Sequence, residues 1–297
     1  MSTETRPAQP ISRQRLEFWL QSHADIVALV DIALGFLLRL RAGLGTYLNP
    51  DEATNYLIAH QASLSAVYHA SLTDPHPPLS YFLLYFWRML GDSEFMLRLP
   101  SMLAGTVFLW FAYRWAGEML GKTAGLVSLL ILAFSPVLIS MSAEVRNYSL
   151  LLLLLAATLW TLQRALEKPS VRRIVVFSIL LLLSILTHYS MFVVTLALGG
   201  YVAIRALRRE LPAPVMKSWV LMQAVAAGLW VLLYMTHLAH LKGSGMERSA
   251  ADIWLRASYF HRGEGNPLLF PVQATGMLFR YLFDSRLLGV PQALFAF

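Results

Sequence analysis

The stretch PPLSYFLLYFWRMLG, residues 77–91, decides how this chain is laid out. A helix that crosses a bilayer needs about 20 mostly apolar residues. This segment is shorter, opens with Pro77 and Pro78, and carries Arg88. If it spanned from a cytoplasmic N-terminus, Arg172, Arg173, Arg208 and Arg209 would all fall outside. That contradicts the retention of Lys and Arg on the cytoplasmic side. An interfacial or re-entrant placement removes the conflict, and Tyr81, Phe82, Tyr85, Phe86 and Trp87 suit the boundary between lipid and water.

The spans follow outward from that choice. Residues 26–46, 98–117, 123–142, 147–163 and 217–238 each read as one crossing, despite Asp31 and Arg39 in the first. The run from Ile174 to Ile204 holds no Asp, Glu, Lys or Arg, and basic clusters flank both ends. With both flanks cytoplasmic, it must cross twice and turn near His188, Tyr189 and Ser190. More than half of the 24 Lys and Arg residues then lie inside. Residues 1–25 become a cytoplasmic tail, 26–210 a transmembrane module, and 211–297 further helices and an outer loop. Three polar segments, 47–98, 142–148 and 238–267, share the outer face.

Composition agrees with a membrane solvent. Of 297 residues, 57% are hydrophobic and 14% charged, with a mean hydropathy of +0.55. Soluble domains average roughly 45–50% apolar and about 25% charged residues. The excess cannot be hidden in one core, so a soluble enzyme and a disordered chain are both excluded. The expected fold is an all-α, polytopic transmembrane bundle with interfacial helices in the first outer loop. The net charge of +7 is read as orientation and not as affinity for nucleic acid. With no cysteine, disulfides, thiolate metal sites and cysteine nucleophiles are excluded. The polar N-terminus lacks the pattern of a cleaved signal peptide.

The outer segments carry the candidate chemistry. Asn49-Pro50-Asp51-Glu52 leads into an expected amphipathic helix from Ala53 to about Leu72. Acidic residues there can cap the helix or serve chemistry. Asp74-Pro75-His76-Pro77-Pro78 is a rigid approach to the aromatic segment. It places Asp74 and His76, with His188, among weak candidates for a metal site. Arg98 either snorkels to lipid headgroups or serves function. Glu144 and Arg146, between two apolar helices, are costly to hold near lipid.

Taken together, Asp51-Glu52, His76-Pro77-Pro78-Leu79, Phe95 with Arg98-Leu99-Pro100-Ser101, and Ser135-Pro136 followed by Glu144, Arg146 and Tyr148 resemble a known family. They are similar to the GT-C class of membrane glycosyltransferases. In particular they resemble bacterial relatives of the dolichyl-phosphate-mannose protein mannosyltransferases, and the aminoarabinose transferases that modify lipid A are similar. The likeness runs from residue 30 to about 210. It implies an inverting transfer of a sugar from a polyprenyl-phosphate carrier to a hydroxyl of a lipid, glycan or protein. It places the protein in the bacterial inner membrane with the site on the periplasmic face.

By the same resemblance, Asp51 with Glu52 is the catalytic base, and Glu144 joins the catalytic set. His76, Arg98, Arg146 and Tyr148 contact the donor phosphate. The aminoarabinose relatives have a Lys where this chain has His76, so phosphate contact there depends on imidazole protonation or on a divalent metal ion as cofactor. The competing class is a transporter or flippase of lipid-linked sugars, which would favour internal repeats and polar residues at mid-depth; neither is seen. Relatives of this kind continue through more spans, so the apolar end at Phe297 leads us to expect a truncated chain.

Overall fold

A computed structural model describes residues 11–44, 47–242, 260, 261, 263 and 265–282. Most of the loop 238–267 and the chain's end at Phe297 lie outside the described residues. The described part is helical: α1 (Ile11–Ser22), α2 (Ala24–Gly43), α3 (Pro50–Ala59), α4 (Leu64–Ser71), α5 (Leu79–Trp87), α6 (Glu94–Leu120), α7 (Lys122–Ala133), α8 (Pro136–Ser142), α9 (Tyr148–Glu167), α10 (Val171–Ile185), α11 (Met191–Leu207) and α12 (Ala213–Leu233). A π-helical turn, Tyr234–Leu238, continues α12.

Among the described residues, α6, α9 and the run Ala213–Leu241 are long and apolar enough to cross a membrane. The pair α7 and α8 makes a fourth candidate, bent by 64°. The crossing expected over 123–142 is thus a candidate span, made of two helices and not of one continuous helix. Pro136 has no N–H to donate to the preceding turn, so the helix breaks at Phe134-Ser135 and restarts with Pro136 in its first turn. The charge-free run divides as expected, into α10 and α11 around a turn at 187–190.

A core of Ala28, Leu109, Leu129, Ala133 and Ala156 joins α2, α6, α7 and α9. A second, with Phe177, Leu181, Ile185, Val202 and Ala226, joins α10, α11 and α12. Large apolar side chains such as Val193, Leu196 and Leu221 face outward. A bilayer is the solvent that accepts such a surface.

Helices α3, α4 and α5 do not span. At nine residues α5 is too short, and it packs with α3 and α4 in a cluster of Ile58, Val67 and Tyr81. The long amphipathic helix expected over 53–72 is instead two helices, interrupted at 60–63, with Ser63 capping α4 through Ala66 N–H at 3.2 Å. Pro100 inside α6 explains how α5 is anchored. Its missing N–H frees the Met96 carbonyl, which accepts from Trp87 Nε1 at 2.8 Å.

This layout gathers one set of helix ends. The C-terminal ends of α2, α8 and α10 meet the N-terminal ends of α6 and α9. Asn147 Nδ2 donates to Thr187 O at 2.9 Å, and Leu79 N–H donates to Leu186 O at 3.1 Å. At the opposite end Tyr113 bonds Asp25 at 2.8 Å, and Lys122 Nζ reaches Gln21 O at 3.1 Å. The chain has no cysteine, so this polarity is directly measurable with impermeant maleimides. Ser190→Cys and Arg172→Cys, both exposed, are expected to label from opposite sides of sealed vesicles; labelling from one side would overturn the α10–α11 hairpin.

Candidate active site

The site begins with a helix start. Asn49 caps α3 by accepting from Glu52 N–H at 2.9 Å, while Glu52 Oε2 accepts from Asn49 N–H at 2.9 Å. This reciprocal box, with Pro50 in the first turn, fixes where Asp51 and Glu52 point. Neighbours on a helix lie about 100° apart, so the acidic pair splits. Glu52 turns inward and is 1% exposed, whereas the Asp51 side chain is 65% exposed.

Inside, Glu52 meets Arg98 in a two-pronged ion pair. Arg98 Nε donates to Oε1 and Nη2 to Oε2, each at 2.8 Å. Val145 N–H adds a bond to Oε1 at 2.9 Å. Arg98 also donates to Gly43 O at 3.2 Å and Tyr47 O at 3.0 Å. Burial pushes the Glu52 carboxyl up. The bonds from Arg98, Asn49 and Val145 outweigh that and hold it below the usual carboxylate range. Glu52, expected to share catalysis with Asp51, and Arg98, expected at the donor phosphate, are both enclosed. Both are sealed and committed to each other, so they hold the site together.

Above them lies a second acidic–basic set that is open. Asp51 Oδ2 ion-pairs with Arg146 Nη1. Arg146 Nη2 donates to the Tyr148 hydroxyl at 3.1 Å, and its guanidinium lies 4.9 Å from that ring's centre. Ser101 Oγ fixes the Arg146 backbone through its carbonyl at 3.1 Å. Glu144 sits half-buried beside Ser140, with Oγ to Oε1 at 3.5 Å. Burial pushes its carboxyl up; Arg146 opposes this, while Glu52 and Asp51 reinforce it.

Asp74, His76 and His188 complete the rim. Asp74 Oδ1 accepts from Tyr81 at 2.7 Å and from His76 N–H at 3.1 Å, and stands 2.6 Å from His76 Nδ1. Burial raises the Asp74 carboxyl, but His76 and Tyr81 overcome it and keep the group below its ordinary value. The His76 ring lies 5.2 Å from His188 and 6.3 Å from Tyr148, centre to centre. His188 Nδ1 accepts from Ser190 N–H at 3.0 Å, which fixes the proton of the neutral ring on Nε2. Burial, with His76 beside it, lowers His188 to about 4.

The three candidate metal ligands thus form a hydrogen-bonded pair and a ring contact. Among the described residues no group of three or more His, Asp or Glu is arranged to hold a metal. A small, mostly apolar crevice opens beside Arg146, lined by Ser80, Tyr81, Leu84, Leu97, Ser101 and Asn147.

Sequence reasoning missed several contributors. By sequence Tyr81 suits an interfacial aromatic, yet it is 1% exposed and holds Asp74. Asn147 ties the Glu144 loop to the His188 turn. His237 is fully buried, takes Ser71 O at 2.9 Å with Nε2, and faces the Tyr189 hydroxyl at 2.6 Å with Nδ1. Only the Asn in E-V-R-N-Y offered a local signal, as a polar residue at a helix start.

A model of the dolichyl-phosphate-mannose-protein mannosyltransferase family matches residues 75–239. The match takes in His76, Arg98, Glu144, Arg146, Tyr148 and His188 and begins after Asp51, Glu52 and Asp74. A search of curated proteins finds no match.

The sealed ion pair makes a stability prediction. Breaking a buried pair from one side leaves a stranded charge and costs about 3–5 kcal/mol. Glu52→Gln and Arg98→Met are each expected to lower the thermal unfolding midpoint in detergent strongly. The double variant should lose less than the sum, and additive losses would show that the pair is not coupled.

Proposed function

Because the chain belongs to the dolichyl-phosphate-mannose-protein mannosyltransferase family and is therefore a membrane glycosyltransferase, we propose that its site lies at the end of the bundle bearing Asp51, Glu144 and Arg146. There it transfers a sugar from a polyprenyl-phosphate carrier to an acceptor hydroxyl on the outer face of the membrane. The observation that supports this most is the contact of Asp51 with Arg146. A solvent-facing carboxylate and a cation meet directly above a sealed pair of the same chemistry.

The step needs two things at C1 of the sugar. The acceptor oxygen must lose its proton as it attacks, and a carboxylate within hydrogen-bond reach can take it. The bond from C1 to the phosphate oxygen must break, with its electron pair leaving on that oxygen. In our reading Asp51 takes the proton and the new C1–O bond forms with inversion. The departing carrier phosphate gains a negative charge, which Arg146 stabilises with the Tyr148 hydroxyl and His76. No general acid is required, since a phosphate monoester leaves as an anion.

The resting ion pair gives the reaction an order. Arg146 holds Asp51 before the donor arrives. A carrier phosphate that takes over Arg146 releases the Asp51 oxygens toward the acceptor. Glu144, in the same cleft, repels excess negative charge and would hold the sugar hydroxyls or the acceptor. The donor sugar is proposed as a mannose-like hexose or a pentose, and the acceptor as a lipid, glycan or protein.

The test uses the protein in liposomes with radiolabelled polyprenyl-phosphate-mannose and membranes from cells lacking the gene as acceptor. Asp51→Asn should remain folded and inserted yet lose transfer by about 100-fold or more. Full activity of that variant would remove Asp51 as the base. Arg146→Met is expected to raise the donor KM and lower kcat, and an effect confined to acceptor KM would count against its phosphate role.

A pH profile separates the second carboxylate. The Glu144 pKa is raised, so a step that needs it ionised is complete above that pKa and is lost as pH falls through it. Glu144→Gln, which cannot ionise, should hold kcat near its acid-side level at every pH and so flatten the acid limb. An unmoved limb would show that Glu144 does not titrate in the rate-limiting step.

A further inference from the structure

Arg39 has no place in the mechanism above, yet it is one of the largest fully buried side chains. It lies in α2, one helical turn before Gly43, with 0% of its surface exposed. Its Nε donates to Ser142 Oγ at 3.2 Å; its Nη1 donates to Gly35 O at 2.9 Å and Ala133 O at 3.3 Å. Nη2 is buried with no hydrogen-bond partner. Every acceptor it uses is neutral. A guanidinium so placed within an apolar bundle is expensive, and its retention calls for a reason.

The acceptors supply one. Ala133 O belongs to the last turn of α7, where the break before Pro136 ends the regular ladder and leaves carbonyls to be satisfied. Ser142 closes the other end of the bent pair, as the last residue of α8. Its hydroxyl is fully used. It donates to Leu138 O at 2.6 Å and accepts from Arg39 Nε and from Ser149 Oγ, each at 3.2 Å. Ser149 lies in the first turn of α9. Ser149 Oγ, whose one proton is within reach of both Ser142 Oγ and, at 3.3 Å, Met141 O, therefore closes the base of the 143–147 loop, which carries Glu144, Val145 and Arg146.

The neighbouring helix is shaped to admit this arrangement. A Cβ on Gly105 of α6 would stand 2.2 Å from Ser142 Oγ and 3.3 Å from Arg39 Nε. No side chain larger than hydrogen fits there without moving the clamp.

We propose that Arg39 is a positioning residue that straps both ends of the bent α7–α8 pair and so sets the placement of the 143–147 loop. Its consequence for transfer rests on the roles given to Glu144 and Arg146; the strap itself does not. Displacement of catalytic groups by about 1 Å from a distant change can cost on the order of 100-fold in rate.

The test reads loop placement and transfer separately. Ala143→Cys, buried at 7% exposure, reports on the loop base through its rate of reaction with an impermeant maleimide; Ser190→Cys is the control. Arg39→Met in the full chain should speed labelling at position 143 by about 10-fold and leave position 190 unchanged. It should lower kcat by about 100-fold with donor KM within about 3-fold. Gly105→Ala should reproduce both effects from the α6 side, and Arg39→Lys should restore them only in part. If Arg39→Met fails to insert, Ser142→Ala decides by the same readouts. Unchanged labelling at position 143 in a folded variant overturns the strap. Faster labelling with unchanged transfer keeps the strap and overturns the role of the loop in catalysis.

Discussion

The buried pair of Glu52 and Arg98 is the constraint on which the site depends. Removing two charges from water is costly, and their attraction offsets that only with good geometry and few unmet lone pairs. Here the contact is two-pronged, and the remaining positions are filled by Asn49 N–H, Val145 N–H, Gly43 O and Tyr47 O. Those partners come from the end of α2, the start of α3, α6 and the loop before α9. One interaction therefore sets the relative heights of four segments that are distant in sequence. The exposed Asp51 and the partly buried Arg146 inherit their spacing from it, since Asp51 adjoins Glu52 and Arg146 adjoins Val145, whose N–H bonds Glu52.

Much of the bundle was legible because membrane solvation leaves strong marks in sequence. The charge-free run 174–204 with basic flanks gave the α10–α11 hairpin, and the short aromatic stretch 77–91 gave a helix that does not cross. The breaks were harder to read. Apolar periodicity carries across 60–63 and across 134–135, so length alone suggested continuous helices. What divides them is local. Ser63 offers a cap in one case, and Pro136 removes a donor in the other. The Ser-Pro was visible, but an apolar window of spanning length outweighed it.

The site was legible in its residue types and less so in their roles. Asp51 and Glu52 are adjacent and chemically alike, and only the helix start decides which of them turns inward. Arg98 and Arg146 likewise each stand beside an apolar span, and sequence gives no measure of which is enclosed. Tyr81 and His237 carry no motif at all. Their partners, Asp74 Oδ1 and Ser71 O, become neighbours only when α4 and α5 fold against the bundle.

The three arginines show how burial and partners, more than identity, set function. Arg98 is enclosed with a carboxylate, so its charge is matched and its contribution is to position. Arg39 is enclosed with carbonyls and a hydroxyl only, so its charge is matched by no carboxylate among these partners. Arg146 is partly open, and its carboxylate partner is the more exposed of the two. An exposed pair is held weakly against competing ions. Of the three, Arg146 alone has a partner that an incoming anion can displace at small cost. In the roles proposed for them, the same guanidinium group serves as a lock, a strap and a switchable contact.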